Sequence, residues 1–342
     1  MKLEQAYYAP FAYSQYSLTK KNIIVLIALS LQIILLLFAK DFAAILNMFI
    51  CVGAVILSNV LAQLINRSKN YFHISLLTEG LLIAFCTPVS YHPFSLFVLV
   101  LLAQIIVKHF FSGYGGNIFS TIACTVMLLY LSYPAYFPEN LNNIQLLKTH
   151  GTMLSTLQIK GMIQNDKDIT SLLNYFFANI GVVIPEGYAT LLSNSVSRIP
   201  AFRYNLVTLF SSAFLCAFDI GEKLISFVYV FVYGMLVWIF GMYRVDGSFF
   251  TGDILSAFCT TGLFFYAFFI VGESSTVPNS RVGKIIFASI LGILTFALCG
   301  TGGNPVGIAL AIIAANFLVP LIIHVENYVL IANLRKRYGC AK

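Results

Sequence analysis

The chain has 342 residues, is 59% hydrophobic and only 10% charged, and carries a formal net charge of +7. Such a composition lies far from that of soluble globular domains and gives no support to soluble hydrolase or dehydrogenase chemistry. The basic residues do not cluster with interleaved aromatics, so nucleic-acid binding has no support either.

Taken in order, residues 1–21 read as a polar, aromatic cytoplasmic tail ending at Lys20 and Lys21. The first apolar span, Asn22 to Ala39, is longer than a signal-peptide core and lacks a clear A-x-A site, so it reads as a retained helix. Further spans follow at Phe42–Ile65, Leu76–Thr87, Phe94–Val107 and Ile118–Tyr133. These close a first five-helix unit over residues 22–134. Residues 135–201 form the one long polar stretch, read as an outward, periplasmic loop with a functional or docking role. Five more spans, Leu206–Phe218, Leu224–Met242, Ile254–Val271, Ile285–Leu298 and Val306–Val325, make a second unit over residues 202–326. A basic tail, residues 327–342, ends the chain. The expected fold is thus an all-α polytopic membrane protein of about ten transmembrane helices.

One short string occurs twice. Gly113-Tyr114-Gly115-Gly116-Asn117 and Gly300-Thr301-Gly302-Gly303-Asn304 are both G-x-G-G-N, 187 residues apart from Gly113 to Gly300. Each follows the fourth span of its unit. Glycine frees the backbone at such a break, and Asn supplies a donor and an acceptor beside it. An odd number of spans per unit requires opposite insertion of the two halves, which is an inverted repeat. The positive-inside rule orients it. A cytoplasmic amino terminus places Lys2, Lys20, Lys21, Arg67, Lys69, Lys108, Lys223, Arg281, Lys284, Arg335, Lys336, Arg337 and Lys342 inside. Only Lys40 and Arg244 fall outside, the long loop excepted. Both termini are therefore expected in the cytoplasm, with the first box inside and the second outside.

Few residues carry chemistry. Glu79 lies in the third apolar run; it reads either as an ion-path or ligand-bonding group within the membrane or as an interfacial residue at a later-starting span. Asp219, Glu222 and Lys223 read as solvated turn charge, Asp253 as the cap of the eighth helix, and Glu273 as a loop cap or a polar ligand. The seven cysteines form no C-x-x-C pair and the five histidines have no ligand spacing, so no metal site is expected.

Several strings together resemble the RnfD/NqrB family of membrane subunits of redox-driven ion-translocating oxidoreductases. Lys108 to Ser120 is similar to K-x-x-(F/Y)-G-G-x-G-x-N-x-x-N-P, and Phe268-Phe269-Ile270 with Glu273 to F-F-I-A-T-D-P. Arg281 to Phe287 resembles R-G-R-L-I-F, Gly302 to Ala309 resembles G-G-Y-P-D-G-V-A, and Ala315 to Ile322 resembles A-N-x-x-V-P-L-I. The resemblance implies a flavin-carrying, electron-transferring subunit of a multi-subunit complex in a bacterial inner membrane, coupling electron transport to cation movement. It implies an FMN esterified at the threonine of S-G-A-T, matched by Thr149-His150-Gly151-Thr152, so Thr152 is the acceptor candidate. It also implies a non-covalent riboflavin at the inner box, where Lys108, Gly113, Gly115, Gly116 and Asn117 are the candidate contacts; Glu79 and Glu273 are ion-path candidates. The sequence departs from the pattern: Ser120 and Thr121 replace the box's second Asn-Pro, and Glu273 replaces an aspartate. A cofactor-free channel or transporter on the same scaffold is the competing reading.

Overall fold

The computed structural model describes residues 17–66, 73–110, 117–138, 166–177, 184–243, 249–250, 252–272, 276–278, 280–302 and 304–338. Every regular element among them is a helix. Helix α1 (Leu18–Phe38) opens on Ser17, whose hydroxyl accepts from the Lys20 amide. That cap draws Leu18–Lys21, assigned to the tail by sequence, into the helix. There follow α2 (Phe42–Asn66), α3 (Ile74–Cys86), α4 (Pro93–Gln104) and α5 (Thr121–Ser132). A π turn, Ile105–His109, extends α4.

Within the expected outward loop lie α6 (Lys167–Phe177) and α7 (Tyr188–Ser193). The second half holds α8 (Asn205–Ala217), α9 (Lys223–Gly241), α10 (Ile254–Thr261), α11 (Leu263–Phe265, running into a π turn Tyr266–Ile270), α12 (Arg281–Cys299) and α13 (Gly307–Tyr338). Two expectations change here. The span read as continuous from Ile254 to Val271 breaks at Gly262, which has φ +69°. A Cβ there would come within 2.0 Å of the Phe202 ring. The basic tail is also not separate from the last span: α13 runs on through Pro320 to Tyr338.

Among the described residues, five helices are long and apolar enough to cross a membrane: Leu18–Phe38, Phe42–Ile65, Lys223–Gly241, Arg281–Cys299 and Gly307–Ala332. The other apolar helices are shorter, α3 having 13 residues and α5 having 12. At 1.5 Å per residue such helices reach roughly 20 Å, against about 30 Å of hydrocarbon. Large exposed apolar side chains, Phe42, Phe49, Phe231 and Phe317 among them, sit on the long helices, as a lipid-facing surface requires.

The halves pack alike. In the first, α2 packs on α3 and α4, α4 on α5, and α1 on α3. In the second, α9 packs on α12 and the α11 π turn, α12 on α13, and α8 on α11. Between halves, α1 lies against α8 and α5 against α13. Gln32 Nε2 donates to Thr208 Oγ1 (3.0 Å) and Ser211 Oγ to the Ala28 carbonyl (3.0 Å) across the first of these seams. The two short or broken segments meet where Phe85 of α3 stands 5.6 Å from Phe265 of α11. Their neighbours Tyr229, Tyr233 and Tyr266 are fully buried.

Candidate functional site

At one end of the first half, the close of α2, the start of α3, the π turn after α4 and the start of α5 converge. Gly80 lets α3 press onto α2: a Cβ there would stand 2.7 Å from the Val52 Cα. This approach carries Glu79 inward, and its side chain is only 12% exposed. Glu79 is thus enclosed by the surrounding helices. Lys108, on the π turn, is 3% exposed and donates from Nζ to Glu79 Oε2. Thr121 Oγ1, in the first turn of α5, donates to Glu79 Oε1 at 2.7 Å. Gln104, fully buried, turns its side-chain amide to the same carboxylate as a hydrogen-bond donor, while its Oε1 meets no partner.

The same end holds most of the orphaned polar atoms of the described residues. Besides Gln104, they are His109 Nε2, Asn117 Oδ1, Ser120 Oγ, Ser75 Oγ and Gln63 Oε1. Leaving a buried polar group unpaired costs about 1–3 kcal/mol, so a cluster of them marks a place prepared for something else to bond.

The second glycine box behaves differently. Gly300 and Gly302 take φ +60° and +115°, which an L side chain resists. Asn304 Oδ1 accepts from the Val306 and Gly307 amides at 3.2 Å each, capping α13, and its Nδ2 donates to the Leu298 carbonyl at 3.0 Å. Asn304 is thus spent on closing the turn, whereas Asn117, its counterpart, keeps a buried oxygen unused.

Of the residues expected from sequence, Glu79, Lys108 and Asn117 gather at this end. Gly113, Gly115, Gly116, Thr152 and Glu273 lie outside the described residues. Asp253 caps α10 as expected, accepting from the Ser256 amide at 3.0 Å. Glu222 does more than sit in solvated turn charge: it pairs with Lys284 of α12 at 2.7 Å. Sequence reasoning missed Thr121 and Gln104 as partners of Glu79. An isolated glutamine in the apolar run of α4 was a readable signal; Thr121, 42 residues from Glu79, offered none. Asn316 was also missed: it is fully buried with both side-chain polar atoms unpartnered, four residues before Pro320, which offers its carbonyl no N–H. Among the described residues no group of three or more His, Cys, Asp or Glu is placed to hold a metal ion, and no cysteine forms a disulfide.

In the polar stretch between the halves, Asp166 ties α6 and α7 together. Its carboxylate accepts from the Gly187 amide (2.7 Å), the Thr190 amide (2.9 Å) and the Thr170 and Thr190 hydroxyls (both 3.0 Å). Burial alone would raise this carboxyl's pKa; the bonds from Thr190 and Gly187 outweigh it and hold it below the ordinary value. Tyr188 donates to Asp253 at 2.5 Å, joining α7 to the cap of α10. Burial, then that bond, push the Tyr188 phenol upward.

Helices of this length, an apolar exterior and a polar cluster held inside one end define a multi-pass helical membrane protein. The chain belongs to the NQR2, RnfD, RnfE family, whose model matches residues 6–330. It is 26% identical over 310 residues to a subunit of the ion-translocating oxidoreductase complex of Haemophilus influenzae, covering 83% of this chain and 85% of that one. It is 27% identical over 298 residues to the subunit of the same name from Salmonella arizonae, covering 79% and 80%. It is 25% identical over 275 residues to a subunit of the proton-translocating ferredoxin:NAD(+) oxidoreductase complex of Clostridium ljungdahlii, covering 79% and 78%.

Proposed function

We infer that this chain is the membrane-embedded electron-carrying subunit of a flavin-dependent, ion-translocating oxidoreductase complex of the bacterial inner membrane. The relatives named above, alike over about four fifths of both chains, are subunits of such ion-translocating complexes, so other membrane subunits are its partners. Flavin-carrying subunits belong among them. The observation that carries the reading is the orphaned polar cluster around Asn117. Gln104, Asn117, Ser120 and His109 present unpaired donors and acceptors at one buried end of the bundle, which suits the polar edge and hydroxyl chain of a non-covalent flavin such as riboflavin. When bound, that group supplies the one-electron chemistry; these residues hold it, orient it and replace the water it loses. An FMN ester at Thr152 completes the reading on the outer side, and Glu273, after the eighth span, remains an ion-path candidate on the inner side.

The recurrence of helix order and packing supports two inverted five-helix repeats and ten crossings, the short helices acting in pairs at breaks. Residues assigned to one face also bond to one another. Arg203 pairs with Asp41, and the Val89 amide donates to the Arg198 carbonyl on the outer side; Lys284 pairs with Glu222 on the inner.

The test is flavin analysis of the purified complex. Fluorescence of this chain in a denaturing gel, lost in Thr152→Ala, is expected for a covalent FMN. A second flavin should be released on denaturation and fall in Asn117→Ala. A wild-type chain with neither would favour the competing reading, a cofactor-free channel or transporter. The buried Glu79–Lys108 pair gives that reading its one specific support.

A further inference from the structure

Helix α6 (Lys167–Phe177) is turned inside out for a helix in water. A surface helix normally sets its apolar stripe on the core and its polar residues outward. In α6 the polar residues go inward. Thr170 is 2% exposed and bonded to Asp166. Asn174 spends both ends of its side-chain amide on Ile184, accepting from the Ile184 amide at 2.8 Å and donating to its carbonyl at 3.1 Å. Ile169, Leu172 and Tyr175, spaced three residues apart, stand 56%, 60% and 79% exposed on the other side. The charges of α6 are confined to its first turn, Lys167 and Asp168, and the sequence carries none from Ile169 to Pro185.

The place of α6 in the fold says what covers that face. It packs on α7, and α7 packs on both α8 and α10. At the start of α8 the Asn205 side-chain amide donates to the Leu191 carbonyl of α7 at 3.2 Å, and Tyr188 of α7 donates to Asp253, the cap of α10. So α7 lies where two apolar helices begin. The first two turns of those helices already expose Leu206 and Phe210 on α8 and Leu255 on α10, as residues that meet lipid do. A helix at that level sits among the headgroups, a layer about 5–7 Å deep on each side of the hydrocarbon. Lying beside α7, roughly 10 Å from it, keeps α6 in the same layer. Its apolar face then continues the lipid-facing surface of α8 and α10.

We propose that the Ile169, Leu172 and Tyr175 face of α6 rests in the headgroup–acyl boundary of the bilayer, which makes α6 a surface anchor for the polar stretch between the halves. Two observations favour lipid over a protein subunit as the occupant. Beyond its first turn the helix has no charge to build the polar rim of a protein interface, whereas aliphatic side chains with a tyrosine suit the membrane interface. The apolar surface it continues is also one that lipid covers. The charged first turn marks the end of α6 nearer water. Asp166 passes the anchor's position to α7 through the Gly187 and Thr190 amides. The chain that arrives at Asp166, Thr152 with it, is thereby tied to the bilayer surface whether or not it carries a flavin.

The experiment places the environment-sensitive fluorophore nitrobenzoxadiazole on Leu172→Cys in the full-length chain, its native cysteines replaced by serine or alanine. The chain is assembled in its complex and reconstituted into vesicles of phosphatidylcholine and phosphatidylglycerol. Signal from a complex without the introduced cysteine is subtracted, and the same label on Lys167→Cys is the aqueous reference. Emission at Leu172→Cys should lie to the blue of that reference. It should lose about half its intensity when lipids brominated high on the acyl chain replace the ordinary ones, and resist iodide added on both sides of the membrane. Quenching by iodide and not by brominated lipid overturns the proposal, because the face is then in water. A label that neither quencher reaches also overturns it, because a partner subunit then covers the face. Should the labelled Leu172→Cys chain fail to assemble, Ile169→Cys is read by the same criteria.

Discussion

Asn117 and Asn304 occupy the same place in two copies of one string, and their surroundings assign them opposite work. Asn304→Ala removes the acceptor that caps α13 and the donor that closes the turn on Leu298. We expect it to cost about 1–2 kcal/mol, read as a lowered melting temperature with flavin content unchanged. Asn117→Ala deletes an acceptor that bonds nothing. Its melting temperature should stay near that of the wild type while the flavin released on denaturation falls. The reverse pattern would exchange the two roles. Glu79 and Lys108 yield a second contrast. Glu79→Gln strands a buried ammonium and should destabilise by about 3–5 kcal/mol, whereas adding Lys108→Met should restore most of that loss. Equal melting temperatures of single and double variants would show that the pair is not energetically coupled. The importance of Glu79 was legible in the sequence, because an acid in an apolar run is rare. Its partner was not, since Lys108 lies 29 residues away and reads equally well as an interfacial charge.

Elements show where local patterns stop informing. Helix existence follows from apolar runs, and most segments were readable to within a few residues. The break at Gly262 was not, because its cause is the ring of Phe202, brought there by the segment before α8. Gly262→Ala would combine positive φ with a clash and should lower the melting temperature by more than Gly53→Ala, where a Cβ meets nothing within 4 Å. The tail, too, looked separable from the last span because its residues are charged; helical propensity carries α13 through them. The Asp166 knot makes a pH prediction. Its folded carboxyl titrates below the unfolded one, so its stabilising contribution is complete above the ordinary carboxylate range and is lost as pH falls through the folded value. Protection of the Gly187 and Thr190 amides from hydrogen exchange, relative to the unstructured rate at each pH, should be high near neutral pH and fall in acid. Asp166→Asn should show lower protection at neutral pH and lack that acid transition. Identical profiles would mean that the knot does not hold α7.

At the scale of the whole molecule the outstanding quantity is the number of crossings. The sequence argues for ten from apolar runs and charge bias, whereas helix length alone supports five. Both schemes keep the amino terminus in the cytoplasm, yet they place two exposed positions on opposite sides. With ten crossings, Val196 follows five of them and faces outward, and Val282 follows eight and faces inward. With only the five long helices crossing, Val196 follows two and faces inward, and Val282 follows three and faces outward. Both side chains are open to reagent, at 56% and 66% exposure. Single cysteines at these positions, in a chain whose native cysteines are replaced by serine or alanine, can be probed in whole cells with a membrane-impermeant maleimide. Ten crossings require labelling of Val196→Cys before permeabilisation and of Val282→Cys only after it. The opposite order would leave α3, α4, α5 and α8 as buried helices that never span, and would remove the inverted repeat. The packing favours the first outcome. With only the five long helices crossing, Asp41 would follow one crossing and face outward while Arg203 would follow two and face inward, and Glu222 and Lys284 would likewise be parted, yet both pairs are joined.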